Sequence, residues 1–251
     1  MIKIRNLTKS FKKLKDLDGL DLDVIPGETL VILGRSGGGK SVLLKHMIGI
    51  MKPDEGTIDI NDARISELEG PDLYKAVLNM GMLFQGAALF DSMTVEDNIA
   101  FFLHEHSSLT EDEIRDRVSH ALEIVGLAGT EKKMPSELSG GMRKRAALAR
   151  LIVYRPSLIL YDEPTTGLDP MTSMQINELI VKTQKELKAT SIVVTHDILS
   201  ALYIGDRLAL IDKGKIAHID QPDTFMKIDN PIIEFLRKTI SQDPAKVREL
   251  R

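Results

Sequence analysis

The chain has 251 residues, 43% of them hydrophobic, which is enough for a packed core in one large or two intimately packed domains. A formal net charge of −4 argues against a broad nucleic-acid-binding surface. The chain contains no cysteine, which excludes disulfides and thiolate metal sites and fits a reducing compartment. No apolar run is long enough for a membrane span or the core of a signal peptide, so we expect the chain to stay in the cytosol.

The first part of the chain predicts strands followed by a helix. Alternating segments at 2–7 and 20–25 and a compact apolar run at 28–33 each read as a strand. Apolar residues at helical spacing then follow Lys40 until Gly49 interrupts them. These elements are the beginning of an α/β arrangement.

Helices dominate the middle of the chain. A capping box at Thr110 precedes an apolar stripe at 3.6-residue spacing, within a helix-rich region of about 85–156. Buried-type strands at 157–164 and 190–197 then flank a helix near 171–187, which is the β-α-β order of a parallel sheet. The sequence therefore predicts an α/β core interrupted by a helical insertion, with a short helix and a frayed tail at the end.

The segment GRSGGGKS, directly after the third predicted strand, matches the phosphate-binding pattern G-x-x-x-x-G-K-S in the context it requires. Backbone N–H groups of such a turn converge on phosphate oxygens, and the helix that follows adds a partial positive charge. Lys40 is predicted to reach the β- and γ-phosphates, and Ser41 to hold Mg²⁺. A glycine-rich connecting turn is the alternative, which the correctly placed Lys and Ser disfavour. The predicted ATP-binding residues here are Gly34, Arg35, Ser36, Gly37, Gly38, Gly39, Lys40, Ser41 and Val42.

Two adjacent acids end the strand LILYDEP. Apolar residues place Asp162 at the carboxyl end of a buried strand, where ligands gather in open parallel sheets. Asp162 is predicted to bind the metal, and Glu163 to orient and deprotonate an attacking water. A solvated loop start is the alternative, but the phosphate-binding motif and this acidic pair each predict the other. Together they predict a nucleoside triphosphatase.

Further motifs occur in a fixed order: FQ at 84–85, LSGGM at 138–142, LILYDEP at 158–164, TGLD at 166–169 and VTHD at 194–197. With the P-loop they resemble the Q-loop, signature, Walker B, D-loop and switch histidine of ATP-binding-cassette (ABC) ATPases, over nearly the whole chain. The resemblance implies an α/β P-loop NTPase fold with a RecA-like parallel-sheet core, an antiparallel β subdomain and a helical signature subdomain. It further implies an ATPase domain over 1–240, with its core at 1–84 and 157–240 and its helical subdomain at about 85–156, and a tail over 241–251.

The signature segment opens a helix whose first N–H groups suit an anion. In the family this segment serves the ATP held by a second subunit, so the resemblance implies a homodimer with two sandwiched nucleotides. Ser139 would then hydrogen-bond the γ-phosphate, and Gly140 and Gly141 would let the backbone approach it. Ser139 as a plain N-cap is a compatible alternative that leaves the two glycines unexplained.

The resemblance implies roles for four further residues. Gln85 would touch Mg²⁺ or the attacking water, and His196, at a strand end, would hydrogen-bond the γ-phosphate. Asp169 would lie at the subunit interface. Phe11 is the aromatic assigned to stacking on adenine, with a core anchor as the alternative.

Met142 stands where most ABC signatures have glutamine, and it cannot make the hydrogen bonds of an amide. The runs LSGGMRKRAALAR and YDEPTTGLDP resemble the ATPases of MCE-type (mammalian cell entry, Mla-like) transporters, which move phospholipids or other lipids between membranes. This implies ATPase copies bound to a membrane permease on the cytoplasmic side of the inner membrane, with an MCE-domain protein in the same complex. Nothing in the sequence indicates the cargo directly.

Two surface features suggest partners. The segment 88–99 follows the Q-loop and presents Leu89, Phe90 and Met93, where the resemblance implies docking of the permease; core packing is the alternative. The basic run 143–145 predicts a solvated helix face or a contact with acids on a partner, and not a nucleic-acid site.

Three other functions are compatible with parts of the sequence. An ATPase of an importer for polar small solutes, such as amino acids, would share every motif and differ in its membrane partner. A soluble ABC ATPase usually carries two cassettes or long coiled coils, and this chain shows no sustained heptads. A P-loop kinase would not need the LSGGM segment.

Overall fold

The computed structural model describes residues 1–12 and 14–241, so the predicted tail over 241–251 lies outside the described residues except for Ser241, which ends the last helix. The described residues divide into two compact units, the first formed by residues 1–12, 14–78 and 190–241, the second by residues 79–189. The predicted helical subdomain, at about 85–156, lies within the second unit and is shorter than it. The boundaries of this subdomain stay a prediction.

The predicted strands and helices are present, and the structure contains further elements that the sequence analysis does not place. The first unit begins with β1 (Ile2–Phe11), β2 (Leu14–Val24), β3 (Thr29–Leu33), α1 (Lys40–Met47), β4 (Glu55–Ile60), β5 (Ala63–Arg64) and α2 (Gly70–Val77). The second unit contains β6 (Met80–Leu83), α3 (Val95–His106), α4 (Glu111–Ile124), a 3₁₀ turn (Pro135–Glu137), α5 (Gly140–Ile152), β7 (Leu158–Asp162) and α6 (Pro170–Leu187). The first unit resumes with β8 (Thr190–Thr195), α7 (Ile198–Ile204), β9 (Arg207–Asp212), β10 (Lys215–Asp220), α8 (Pro222–Phe225) and α9 (Pro231–Ser241).

An antiparallel sheet with the strand order β2-β1-β4-β5 belongs to the first unit. Ile2 and Ile4 are buried on β1, in keeping with the period-2 pattern of strands, and Leu7 is buried after a shift in register. The strand continues to Phe11, beyond its predicted end, through register shifts after Ile4 that include Asn6 at φ 50°. Such irregularities break the alternation of apolar residues, which is why the sequence predicts a shorter strand.

Parallel strands of the first unit place two predicted site segments at one edge. β3 is fully buried and pairs in parallel with β8 on one side and β9 on the other. Its last residue, Leu33, lies opposite Thr195 of β8 and Leu210 of β9. The chain segments that follow β3 and β8 therefore begin at the same edge of these strands.

The second unit has its own parallel pair and the predicted helices. β6 pairs with β7 in parallel, with Leu83 opposite Tyr161. The capping box of α4 is confirmed: Glu113 N donates to Thr110 Oγ1 at 3.4 Å, and Thr110 N donates to Glu113 Oε2 at 2.8 Å. Across the described ranges of both units, each helix is too short or too polar to cross a membrane.

Candidate active site

The turn between β3 and α1 has no room for side chains at two of its glycines. A Cβ atom on Gly34 would lie 2.5 Å from the Ile211 side chain, and one on Gly39 would lie 2.5 Å from the Asp16 carbonyl oxygen. Gly39 also has φ 87°, which disfavours other residues. As the N-cap of α1, Gly39 has no side chain to cap the helix. The turn and the helix start thus present bare backbone, which suits the oxygens of a phosphate.

Lys40 lies over this turn. Its ammonium is buried and donates to the carbonyl oxygens of Gly34 at 2.9 Å and Arg35 at 3.1 Å. Ser41 and Val42 continue the first turn of α1 and are half-buried, whereas Arg35, Ser36 and Gly37 are exposed. The predicted strand-turn-helix context of the motif is confirmed.

His196 leaves the strand edge next to this turn. It is exposed and directly follows Thr195, whose partner Leu33 immediately precedes the glycine-rich turn. The backbone at His196 is fixed from both sides, because Asp197 N donates to Thr195 Oγ1 at 3.0 Å and the Asp197 side chain caps α7. The P-loop and His196 therefore share one edge of the first unit.

Phe11 ends β1 with 43% of its surface exposed. The ammonium of Lys9 lies 5.9 Å from the centroid of its ring. An exposed aromatic face is available for stacking, and its predicted contact with adenine stays a prediction.

Asp162 and Glu163 occupy the carboxyl end of β7. Asp162 is buried, while Glu163 is half-buried and has φ 49°, a left-handed conformation that is rare outside glycine. The hydroxyl of Thr166 donates to Glu163 Oε2 at 3.0 Å and so orients the carboxylate. Non-glycine residues held in this region cluster at functional sites, because the surrounding structure must maintain the strain.

Gln85 leaves the same edge of the second unit. It is exposed and lies two residues after Leu83, which pairs with Tyr161 just before Asp162. The parallel pairing of β6 and β7 brings the amide and the two carboxylates to one end of this pair. This edge is suited to bind a metal ion or a polarised water.

The signature segment forms the predicted helix start. Ser139 is the N-cap of α5, and its Oγ accepts from Met142 N at 3.3 Å. A Cβ atom on Gly141 would lie 2.5 Å from Thr172 Cγ2, so this glycine allows close packing of α5 on α6. Gly140 is exposed. The N-cap role of Ser139 is confirmed, and its contact with a phosphate stays a prediction.

Asp169 caps α6 and accepts from Thr172 N at 3.0 Å and from Thr172 Oγ1 at 2.6 Å. These hydrogen bonds hold the pKa of Asp169 below its ordinary value. The carboxylate is thus committed to the helix start, and its predicted place at a subunit interface is untested.

The prediction of a solvated face for the basic run 143–145 is wrong for two of its three residues. Lys144 is buried and donates to backbone carbonyls of the loop after β7. Arg145 is half-buried and donates to the carbonyl oxygens of Val125 and Gly126, both at 3.2 Å. Only Arg143 of this run is exposed. Lys144 lies three residues after Gly141 and four before Leu148, so helical periodicity could have placed it on the buried face.

Arg150 and Asn98 hold the segment after Gln85, and the sequence reasoning missed both. Arg150 donates to the carbonyl oxygens of Ala88 at 2.8 Å and Ala87 at 3.2 Å, two residues with φ of 51° and 66°. The buried Asn98 side chain accepts from Phe90 N at 2.7 Å and donates to its carbonyl oxygen at 3.0 Å. Both contacts fix the backbone and leave the ring of Phe90 43% exposed.

A sequence profile of the ABC transporter family matches residues 17–166. The chain belongs to the ABC transporter family. The fold is the P-loop NTPase fold of that family, as the sequence predicts, and the glycine-rich turn lies within the matched residues. The predicted ATPase activity is likewise that of the family.

Two relatives and one solved structure show how far the similarity extends. The chain is 42% identical over 238 residues to the intermembrane phospholipid transport system ATP-binding protein MlaF of Haemophilus influenzae, covering 94% of this chain and 90% of MlaF. It is 41% identical over 232 residues to the probable ribonucleotide transport ATP-binding protein mkl of Mycobacterium leprae, covering 92% of this chain and 67% of mkl. The mkl proteins of other mycobacteria are longer still, and the chain spans 65% of their length.

The fold also matches a solved ABC cassette. The dimeric post-hydrolysis structure of the ATP-binding cassette MJ0796, bound to ADP and Pi, superposes with a TM-score of 0.82 at 31% identity. The match covers 88% of this chain and 99% of the cassette. The sequence suggests a similarity to the ATPases of Mla-type transporters, and the identities to MlaF and mkl confirm this similarity.

Proposed function

We propose that this ABC ATPase powers the movement of phospholipids or other lipids between membranes. The observation that carries the proposal is the similarity to MlaF, which extends over 90% of that relative and 94% of this chain. The methionine at position 142, in place of glutamine in the signature, supports the same subfamily. The cargo is assigned from the relative, because an ATPase subunit of this kind does not itself contact the lipid.

The chemistry proposed for the P-loop is binding of the ATP triphosphate. The bare backbone of the glycine-rich turn and the Lys40 ammonium supply donors to the phosphate oxygens. The Lys40 ammonium would then donate to the β- and γ-phosphates in place of the carbonyl oxygens of Gly34 and Arg35. His196, at the same edge of the first unit, would donate to the γ-phosphate.

Magnesium fits the oxygen donors of the predicted site. The residues that would hold it are Ser41, Gln85 and Asp162, all with hard oxygen ligands. In residues 1–12 and 14–241, no three His, Cys, Asp or Glu side chains are arranged to hold a metal by themselves. This agrees with an ion that shares its ligands with phosphates and water, as Mg²⁺ usually does. When bound, Mg²⁺ would neutralise charge on the β- and γ-phosphates.

Hydrolysis would depend on Glu163. Its carboxylate, held by the Thr166 hydroxyl, would orient a water for in-line attack and accept the proton that the water loses. The left-handed backbone at Glu163 fixes the direction in which this side chain leaves the strand. Glu163 is thus proposed as the general base.

A homodimer would complete two ATP sites. In this arrangement, Ser139, Gly140 and Gly141 of one copy bind the γ-phosphate of the ATP held by the P-loop of the other. The dimeric state of the MJ0796 cassette supports this assignment. ATP binding would close the dimer, and hydrolysis would open it.

The dimer would act on a membrane permease from the cytoplasmic side of the inner membrane, as a peripheral subunit. The proposed docking surface is the segment of Leu89, Phe90 and Met93, whose backbone Asn98 holds in place. Phe90 is exposed and packs on Phe101 at a ring distance of 5.0 Å. An MCE-domain protein is proposed as a further component of the complex.

Transport of a polar solute is the second candidate. The relative mkl bears the name of a probable ribonucleotide transport protein, and its identity to this chain is 41%. The two candidates share the ATPase chemistry and differ in the membrane partner. The experiment that separates the two candidates must therefore identify the membrane partner.

Affinity purification of the tagged full-length chain from detergent-solubilised native membranes, followed by mass spectrometry, tests the proposal. A permease together with an MCE-domain protein would support lipid transport. A permease with a soluble solute-binding protein would support the polar-solute candidate, and recovery of the ATPase alone would favour a soluble ABC ATPase. Phe90→Asp should abolish recovery of the permease, whereas Ile25→Asp, at another exposed apolar residue, should retain it.

A further inference from the structure

Lys144 is a buried cation one turn into the signature helix α5. Its surface is 6% exposed, and its Nζ lies 2.7 Å from the Pro164 carbonyl oxygen, 2.8 Å from that of Thr166 and 3.4 Å from that of Glu163. An ammonium has three N–H donors, so these three acceptors match its capacity. Burying a charge is unfavourable, and an apolar side chain often stabilises such a position equally well. This donor set therefore points to a role beyond filling the core.

The loop that accepts these bonds is the one that carries Glu163. A turn closes where Thr166 N donates to the Glu163 carbonyl oxygen at 3.2 Å, and a second turn uses the carbonyl oxygen of Thr165. The carbonyl groups of Pro164 and Thr166 are not used by these two turns, and Lys144 donates to both. A single side chain thus satisfies the alternate carbonyl groups of the loop.

These bonds determine the backbone from which the proposed general base projects. Glu163 has a left-handed φ of 49°, a strained conformation that its surroundings must maintain. Lys144 binds the carbonyl oxygens of Glu163 itself and of Pro164, and the Thr166 hydroxyl binds the carboxylate. Loss of the ammonium would remove the donor to the buried Pro164 carbonyl and the half-buried Thr166 carbonyl, and would free the loop to relax.

The same helix presents the signature residues at its start. Ser139 caps α5, and Gly141 packs against Thr172 without room for a methyl group between them. Lys144 follows Gly141 by three residues, less than one helical turn. A displacement of the helix start by a bound phosphate would therefore be transmitted to the position of the Lys144 ammonium.

We propose that Lys144 is a positioning residue that couples the signature segment of one copy to the Glu163 loop of the same copy. This proposal rests on the proposed homodimer, in which the partner's ATP binds at Ser139–Gly141. Engagement of that ATP would then adjust the general base acting on the other ATP. The two hydrolysis sites of the dimer would be coupled through this lysine, and ATP hydrolysis would be cooperative.

The test compares Lys144→Met and Lys144→Arg with the wild-type full-length protein. Steady-state ATP hydrolysis with Mg²⁺ gives kcat, KM and the Hill coefficient, and ATP binding is measured separately by calorimetry. Lys144→Met should lower kcat about tenfold, as expected when hydrogen bonds from a charged donor are lost, and should bring the Hill coefficient close to 1. Its affinity for ATP should stay within about twofold, because the P-loop is intact. Lys144→Arg should recover most of kcat and cooperativity.

Lys182→Met is the matched control, since this lysine is exposed on α6 and pairs only with Glu186, at 3.9 Å, among the contacts described. It should leave kcat and the Hill coefficient unchanged.

Wild-type values of kcat and cooperativity in Lys144→Met would overturn the proposal and leave the proposed ATPase intact. If Lys144→Met does not fold, the Arg variant decides: a folded Lys144→Arg with normal kcat but no cooperativity would also overturn the proposal. Absence of Mg²⁺-dependent hydrolysis by the wild type would overturn both the proposed function and the coupling.

Discussion

Two helices of this chain begin at glycine-containing segments that are predicted to meet phosphate, and they begin differently. At α1 the N-cap is Gly39, which has φ 87° and no side chain of its own to cap the helix. At α5 the N-cap is Ser139, whose hydroxyl accepts a bond of 3.3 Å from Met142 N. The first helix start has glycine in place of a capping side chain, and the phosphate proposed for it is held by its own copy. At the second, Ser139 pairs the N–H of Met142, and the phosphate proposed for this helix start is the one held by another copy.

Glu163→Gln should give the largest effect, because it stops hydrolysis while both helix starts keep their phosphates. Removing a general base lowers kcat by about 10²–10⁴-fold, and neither P-loop nor signature residues are changed. The variant should bind ATP with normal affinity and elute as a dimer in ATP during size-exclusion chromatography. Normal hydrolysis would remove Glu163 from the mechanism, and an ATP-independent monomer would contradict the role given to the start of α5.

Lys40→Ala tests the first helix start alone. Hydrogen bonds to a charged group contribute about 1.5–3 kcal/mol each, so the Kd for ATP should rise by about tenfold to a hundredfold. Calorimetry with ATP measures the change. Lys45→Ala is the control, because Lys45 lies in the last turn of the same helix and is half-buried. Equal affinity in both variants would contradict the P-loop assignment.

Ser139→Ala tests the second helix start. ATP binding to the single copy should be unchanged, while kcat falls about tenfold through loss of one hydrogen bond to an anion. Loss of an N-cap also lowers the free energy of unfolding by about 1 kcal/mol. Thr110→Ala removes the cap of α4 and should lower stability similarly without affecting kcat. If kcat falls by the same factor in Ser139→Ala and Thr110→Ala, Ser139 acts only as a structural cap.

A smaller effect is expected from pH. Burial lowers the pKa of Lys144 below its ordinary value of 10.5, and the nearby Glu163 carboxylate opposes this shift. As pH rises, the ammonium therefore loses its proton earlier than an ordinary lysine and donates fewer bonds to the Glu163 loop. The wild-type kcat should fall on the alkaline side, and the fall should be smaller in Lys144→Arg, whose guanidinium stays charged. If the wild type and Lys144→Arg have the same kcat profile at alkaline pH, the protonation of Lys144 does not affect catalysis.

Local rules in the sequence predicted the two helix starts correctly. A buried strand that ends at glycine places the P-loop between β3 and α1, and serine before a helix places the cap at Ser139. The capping box at Thr110 and the acid at the end of β7 follow from rules of the same kind. In each case the residues that determine the feature are neighbours in the chain.

The contacts that hold these segments join residues far apart in the chain, and the sequence did not predict them. Lys144 reaches carbonyl groups 20 and 22 residues away, and Arg150 reaches carbonyl groups more than 60 residues away. Hydrophobic periodicity indicates that a position is buried but does not identify the backbone groups it meets. The basic run on this helix therefore predicts a solvated face, although Lys144 and Arg145 donate to backbone carbonyl groups of two loops.

Met142→Gln should have the smallest effect and sharpens the comparison of the two helix starts. The contact of Met142 with the cap of α5 is made by its backbone N–H, which glutamine also has. The side chain is half-buried, and the exchange retains its length, so kcat should stay within about twofold of the wild type. Steady-state hydrolysis measures this directly, with Ser139→Ala as the variant that should lose activity at the same helix start. A tenfold change would mean that the side chain at position 142 contacts the partner's ATP or its P-loop, and that Ser139 and the backbone alone do not define the second phosphate site.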